Sequence, residues 1–250
     1  MAHGVYVNFV ETLKCMEKRM SGKIPNMIQV CAHRGVSSDH KENTFGAFHA
    51  AVHQEADMIE LDVWLTKDNH LAIHHDKTCE GIDIEKSTLE DLPNFIPTLN
   101  NVLNDFSMIP LNIELKVSPA TDLKRLTEKV ILEVNGNINC TPPVISSFNL
   151  EILQNLREYS QSIKLGYLSA QEDWEKSMLF KTIAENNFQA VHPHHSLVDE
   201  EFMSASRETN IEVNVWTVNE QRLVARLINL GVNSIITDEV DMVKAFINDY

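Results

Sequence analysis

Eight short apolar runs, each followed by an amphipathic stretch, limit what this 250-residue chain can fold into. The runs are Ile28 to Ala32, Met58 to Leu65, Leu111 to Val117, Val144 to Phe148, Lys164 to Leu168, Ala190 to Pro193, Glu212 to Val218 and Ser234 to Thr237. Helical spacing fits the segments between them: Thr44 to Glu55 (entered through Asn43), Thr98 to Asp105, Thr121 to Val134, and a stretch after Asn149 striped by Leu150, Leu153 and Leu156. It continues with Glu172 to Asn186 and Val198 to Thr209. A seventh helix begins near Asn219 and stops before Gly231, a residue suited to a helix C-cap. The eighth begins near Asp238, with Val240, Val243 and Phe246 on one face. Strands joined through helices run parallel, and eight strand–helix units in about 220 residues fit a closed barrel better than an open sheet. The predicted fold is α/β, a (β/α)8 TIM barrel.

One stretch breaks the alternation. Met58 to Asp76 reads as two strands around the polar turn Thr66 to His70, too short a link for a parallel partner. Leu71 to His75 is therefore an extra antiparallel hairpin strand after strand 2, and it returns His75 and Asp76 to the neighbourhood of that strand. Glu60, Asp62 and Trp64 lie two apart and share one of its faces. Two carboxylates on an otherwise apolar strand are costly to bury alone, so a cation or donor must meet them.

Composition narrows the function. An apolar content of 43% and a charged content of 23% are those of a globular protein. A formal charge of −15 excludes non-specific nucleic-acid binding, and an anionic small-molecule substrate would need a locally positive site or a metal. The four cysteines, 15, 31, 79 and 140, form no CxxC pair, so reduced thiols and a cytoplasmic location are expected. No apolar run reaches the length of a membrane span, and no signal peptide is evident. Residues 1–26 are read as a helical extension, with Val7, Val10, Leu13 and Met16 striping an amphipathic helix from Tyr6 to Arg19. Without a linker or repeat, residues 1–250 are expected to form a single domain.

In such a barrel the chemistry gathers where the strands end. The polar intrusions fall there: His33 and Arg34, Glu60 and Asp62, Glu114 and Lys116, His192, Trp216, and Thr237 with Asp238. The segments AHRG (32–35), ENT (42–44), IELDV (59–63), TKD (66–68), HHD (74–76), IPTL (96–99), NIELK (112–116), VWTVN (215–219) and IITD (235–238) resemble, in order, the motifs of the glycerophosphodiester phosphodiesterase family. The resemblance spans roughly residues 27–240. It implies a TIM barrel that hydrolyses glycerophosphodiesters to an alcohol and glycerol 3-phosphate with a divalent metal ion, as in lipid and glycerol metabolism. Carried over residue by residue, it makes His33 and His75 the catalytic histidines, Glu60, Asp62 and Glu114 the metal ligands, and Arg34 and Lys116 phosphate contacts. It favours attack by the neighbouring glycerol hydroxyl through a cyclic phosphate.

The residue chemistry agrees. Three carboxylates from adjacent strands make a hard oxygen site suited to Mg²⁺ or Ca²⁺ rather than zinc. Two histidines can serve as acid and base at phosphorus near neutral pH. Glu60 and Asp62 could alternatively be structural partners of Arg34 or Lys116. Glu42 either orients Arg34 or a metal ligand, or serves a helix N-terminus. Trp216 either fills the barrel or packs against glycerol carbons. His192, His194 and His195 are read as rim histidines, with His192 lining the substrate pocket; His74 is a packing or solvent residue.

The chain departs from the family pattern at Lys41, where a proline is usual, and at Glu55, where a glycine is usual. The link from Asp76 to Phe95 is short where many members carry a longer capping insertion, so a reduced, solvated cap loop (76–95) and a more open pocket are expected. Competing readings are a lysophospholipase D-like phosphodiesterase acting on lipid head groups, a barrel lyase or isomerase, and an inactive barrel serving as a binding module.

Overall fold

The computed structural model describes residues 28–137, 141–170 and 176–249; the helix expected over Tyr6 to Arg19 lies outside them. In chain order the strands are β1 (Gln29–Ala32), β2 (Met58–Leu65), β3 (Leu71–Ile73), β4 (Thr78–Cys79), β5 (Ile82–Asp83), β6 (Leu111–Leu115), β7 (Val144–Ser147), β8 (Lys164–Ser169), β9 (Ala190–Pro193), β10 (Glu212–Val215) and β11 (Ser234–Thr237). The helices are α1 (Phe45–His53), α2 (Leu99–Asp105), α3 (Leu123–Gly136), α4 (Leu150–Tyr159), α5 (Lys176–Glu185), α6 (Glu200–Thr209), α7 (Gln221–Leu230) and α8 (Val240–Asp249). Eight of the strands run parallel in the order β1-β11-β10-β9-β8-β7-β6-β2, and the pairing of β1 with β2 closes the ring. The predicted barrel is thus present. None of its helices is long and apolar enough to cross a membrane among the described residues.

Side-chain polarity builds each element. Thr44, Thr98, Asp122, Asn149 and Asp199 each accept a backbone N–H of the first turn that follows, so these five helices start just after a capping side chain. That is why α1 and α2 begin one residue later than their apolar spacing alone predicts. Gly231 closes α7 at φ +79° and caps it, as expected. On β2, Ile59, Leu61, Val63 and Leu65 face outward into the helix-covered core, while Glu60 and Asp62 face the barrel axis. Parallel register then aligns Glu60 with Asn112 and Asp62 with Glu114 on β6. Strand β6 ends at Leu115, short of the expected Val117, but Lys116 N–H still donates to Val63 O at 2.9 Å.

The hairpin forms as read: β3 pairs antiparallel with β2 through Val63–Ile73, Trp64–Ala72 and Leu65–Leu71, outside the ring. The cap that follows is not the plain solvated loop expected of its charge run. It contains the β4–β5 ribbon and two 3₁₀ turns, Ile84–Lys86 and Leu89–Asp91. Trp64, Ala72, Cys79, Ile84, Leu92 and Ile96 form a small apolar cluster beneath it. Glu80, Glu90 and Asp91 are exposed, whereas the Glu85 side chain is only 8% exposed. Burial of Ile84 and Leu92 folds the segment, and the charges sit around it.

After β1 the chain turns sharply through Arg34 (φ +56°) and Gly35 (φ +80°). A Cβ on Gly35 would lie 2.6 Å from the backbone carbon of Ala47 in α1, a contact that only backbone movement could relieve. Gly35→Ala is therefore expected to destabilise the fold by about 3 kcal/mol, from backbone strain and overpacking together. The check is a lowered urea midpoint at unchanged slope.

Candidate active site

The acidic centre comes from two neighbouring strands. Glu60 and Asp62 project from β2 and Glu114 from β6, and one oxygen from each can be chosen so that all three lie within 4.8 Å of one another. All three are buried. Glu60 Oε1 accepts no hydrogen bond. Burial, and then the charge of Asp62, push the Glu60 carboxyl up to about 8. Glu114 is raised for the same two reasons. Asp62 goes the other way: burial would raise it, but Lys116 and Arg34 outweigh that and hold it low. Three carboxylates crowded at low dielectric cannot all ionise unless positive charge is supplied. A hard divalent cation fits this donor set, and the unpartnered Glu60 oxygen is where the need is plainest. Among the described residues this is the one grouping of acidic, histidine or cysteine ligand atoms so placed; His192, His194 and His195 do not form another.

Two cations already lean on the acids. Lys116 Nζ lies 2.9 Å from Asp62 Oδ1 and 2.5 Å from Glu114 Oε1. Arg34 Nε lies 3.1 Å from Asp62 Oδ2, and its NH1 lies 2.9 Å from Glu42 Oε2. Glu42 thus lies against the Arg34 guanidinium. The left-handed turn at Arg34 also aims its backbone N–H at Glu60 Oε2, 2.9 Å away. Asn43, likewise left-handed at φ +56°, donates from Nδ2 to Asp62 Oδ2 at 2.8 Å and accepts the Asp62 N–H at 3.3 Å. Its role was not read from the sequence, although asparagine's tolerance of positive φ was a usable signal.

The two histidines are held differently. Asp238 Oδ1 accepts from His33 Nδ1 at 2.7 Å, which fixes the tautomer and leaves Nε2 free to exchange a proton. Ser37 Oγ (2.9 Å) and Asn219 Nδ2 (2.6 Å) also donate to Asp238, and its carboxyl falls to about 2. Burial alone would lower His33, but the Asp238 hydrogen bond and the charges of Glu60 and Asp238 leave it raised above the ordinary histidine value. His75 pairs only with the exposed Asp76, at 2.9 Å, and its own side chain is 36% exposed. Desolvation, with Arg34 and Lys116 adding to it, leaves His75 lowered. Trp64 Nε1 donates to the His75 carbonyl at 3.1 Å, anchoring the backbone there. His74 turns to Asp76 O instead, at the surface.

His33, Arg34, Glu60, His75, Glu114, Lys116 and Trp216 line one cavity of about 210 Å³. Its remaining wall is mostly apolar: Phe148, Leu168 and Ile236, with Asn112 on the floor. Trp216 meets Phe148 edge-on at 5.7 Å, and its Nε1 donates to His192 O at 2.7 Å. The tryptophan thus stands at the rim rather than filling the barrel.

His192 does not line this cavity, contrary to its expected place. It is 1% exposed, points into the barrel axis and lies 3.0 Å from Asn214 Nδ2. The room comes from β8, where a Cβ on Gly166 would sit 2.4 Å from His192 Nε2. Burial, then the charge of Lys164, hold its imidazole neutral down to about 3. Because an unfolded histidine titrates near 6.5, the unfolded state takes up this proton first as pH falls. Stability from His192 is complete above about 6.5 and is lost toward pH 3, at about 1.4 kcal/mol per pH unit. Urea titrations at pH 7 and pH 5 should show the loss, and His192→Gln should show about 2 kcal/mol less of it.

Comparison with known proteins was made on this geometry. Residues 33–242 match the family model described as the glycerophosphoryl diester phosphodiesterase family. A glycerophosphodiester phosphodiesterase of Caldanaerobacter subterraneus is 30% identical over 236 residues, 84% of this chain and 93% of its own. Among solved structures, a glycerophosphodiester phosphodiesterase of Thermotoga maritima is 26% identical with a TM-score of 0.73, covering 87% of this chain and 97% of its own. An Oleispira antarctica phosphodiesterase, solved with the product sn-glycerol-3-phosphate, is 24% identical with a TM-score of 0.79 over 89% of this chain and 97% of its own.

Proposed function

This chain belongs to the glycerophosphoryl diester phosphodiesterase family and is a glycerophosphodiester phosphodiesterase, and from that premise we propose that it works with a divalent metal ion and a pair of histidines. Glu60, Asp62 and Glu114 would hold the ion. When bound, Mg²⁺ or Ca²⁺ supplies charge neutralisation at the phosphoryl oxygens. Arg34 and Lys116, both beside the acids, add fixed positive charge for the phosphate and offset the acidic balance of the chain.

The observation that carries the reading is geometric: a buried triad of carboxylates, with Arg34 and Lys116 against it, opens on one cavity lined by both His33 and His75. His75, held neutral, accepts the proton of the attacking hydroxyl as the new P–O bond forms. His33, held protonated by Asp238, gives its Nε2 proton to the leaving oxygen as the old P–O bond breaks. Where the attacking hydroxyl is the substrate's own, water then opens the cyclic phosphate with the roles reversed: His33 takes the proton of water and His75 returns one to the glycerol oxygen, which releases glycerol 3-phosphate and restores both histidines. Phe148, Leu168 and Trp216 offer apolar surface to the carbon skeleton of the glycerol, which matches the glycerol 3-phosphate carried by the Oleispira enzyme. One catalytic barrel acting in the cytoplasm, where Cys31 and Cys79 stay reduced, completes the reading.

The test is release of glycerol 3-phosphate from glycerophosphocholine, run beside lysophosphatidylcholine. Turnover of the soluble diester is expected. Turnover of the lysolipid alone would transfer the assignment to a lysophospholipase D, and turnover of neither would leave a binding module.

A further inference from the structure

His33 has a half-buried carboxylate, Asp238, to orient it; His75 has only the exposed Asp76, so something else must hold it opposite its partners. The cap provides a candidate. Glu85, in the first 3₁₀ turn of the cap, has a side chain only 8% exposed with both oxygens engaged, although it does not line the cavity. Its Oε2 lies 2.9 Å from Lys77 Nζ and accepts from Ser118 Oγ at 2.5 Å. Its Oε1 accepts from Thr121 Oγ1. Lys77 Nζ itself lies 3.4 Å from Ser118 Oγ, and Ser118 N–H donates to Thr121 Oγ1 at 2.8 Å. The carboxylate is held low because its burial is outweighed by these hydroxyls and Lys77.

Position in the chain gives this cluster its meaning. Lys77 follows His75 by two residues, and Ser118 follows Lys116 by two. Both segments are also tied to the fold by backbone hydrogen bonds: Ile84 N–H donates to Lys77 O at 3.0 Å, and Lys116 N–H to Val63 O at 2.9 Å. The two segments carrying His75 and Lys116 have no hydrogen bond of their own between them in the described structure other than those through this cluster.

We propose that Glu85 is a positioning residue for the phosphodiesterase reaction, a brace that fixes the His75 segment against the segment bearing Glu114 and Lys116. The proposal rests on the reading that His75 and Lys116 act on the phosphate. Catalysis is sensitive to such placement: an ångström of misalignment can cost about 100-fold in rate. The brace acts on the aligned, reacting complex, so it affects kcat more than substrate capture. An exposed cap carboxylate such as Glu90 has no such connection.

Kinetics on glycerophosphocholine and amide hydrogen exchange on the free protein test this together. Glu85→Leu is expected to lower kcat at least about tenfold with KM changed less than about threefold, to be partly rescued as Glu85→Gln, and to leave Glu90→Gln at wild-type rates. In the absence of substrate, Glu85→Leu should speed exchange in residues 74–78 and 116–121 together. Lys77→Met should lower kcat similarly, and the double variant should lose no more than either single one. Unchanged kcat in a folded Glu85→Leu protein overturns the proposal, as does a loss carried by KM alone. Exchange that rises in the cap but not in residues 116–121 also overturns it. A wild type without turnover would instead overturn the catalytic reading, and the exchange measurement would still decide whether the brace exists.

Discussion

EDTA is expected to abolish turnover, and Glu60→Gln to lower kcat/KM at least about 1,000-fold, because the ion's charge neutralisation is worth several kcal/mol at phosphorus. Thermal denaturation separates this from a merely structural acidic pair. In the metal-free protein Glu60 is a liability: its carboxyl is buried, faces Asp62 and has an oxygen without a hydrogen-bond partner. Glu60→Gln removes the cost of holding that carboxyl so far above its ordinary value, so the metal-free variant should melt no lower than the wild type. Added Mg²⁺ or Ca²⁺ should raise the wild-type melting temperature by mass action and should leave the variant unmoved. If the acids served only to pair with Arg34 and Lys116, the ion would shift neither protein and EDTA would leave activity intact. Titration calorimetry with each cation in turn would also tell which one the three oxygens prefer.

What the chain displayed before folding was everything that depends on short periods. Alternation on Met58 to Leu65 put Glu60 and Asp62 on one face, and the short turn forced the hairpin that returns His75. The eight strand–helix units announced the barrel. Hidden from view were relations that only closure creates. Asp238 was noticed as a rim residue, but its bond to His33 joins the first and last strands across 205 positions. His192 looked like its strand-end neighbours because a strand pattern records which face a residue takes, not how deep it sits. The notch it fills is made by an absent side chain, Gly166, on another strand. The cap hid its structure differently: its buried apolar residues, Cys79, Ile84 and Leu92, sit in or beside elements too short to show a period.

The pH profile of kcat/KM is expected to be a bell whose two limbs belong to different histidines, and Asp238→Asn should move only one of them. His75 must be neutral to take a proton, so activity is lost as pH falls through its lowered value. His33 must be protonated to give one, so activity is lost as pH rises through its raised value. The plateau therefore brackets the ordinary histidine range near 6.5. Asn at position 238 can still meet His33 Nδ1 through its amide oxygen, yet it removes the carboxylate charge that opposes the lowering effect of burial. The alkaline limb should then slide to lower pH, while the acid limb, set at His75 by desolvation and by Asp62, Arg34, Lys116 and Asp76, stays in place. The variant should therefore lose more activity near pH 8 than near pH 6. His33→Ala, lacking the acid altogether, should lose about 100- to 10,000-fold with no alkaline limb remaining. A substrate whose alcohol leaves readily as its anion, such as a nitrophenyl diester, needs no proton at the leaving oxygen. With it His33→Ala should recover most of its rate and His75→Ala should not, and the reverse pattern would exchange the acid and base assignments.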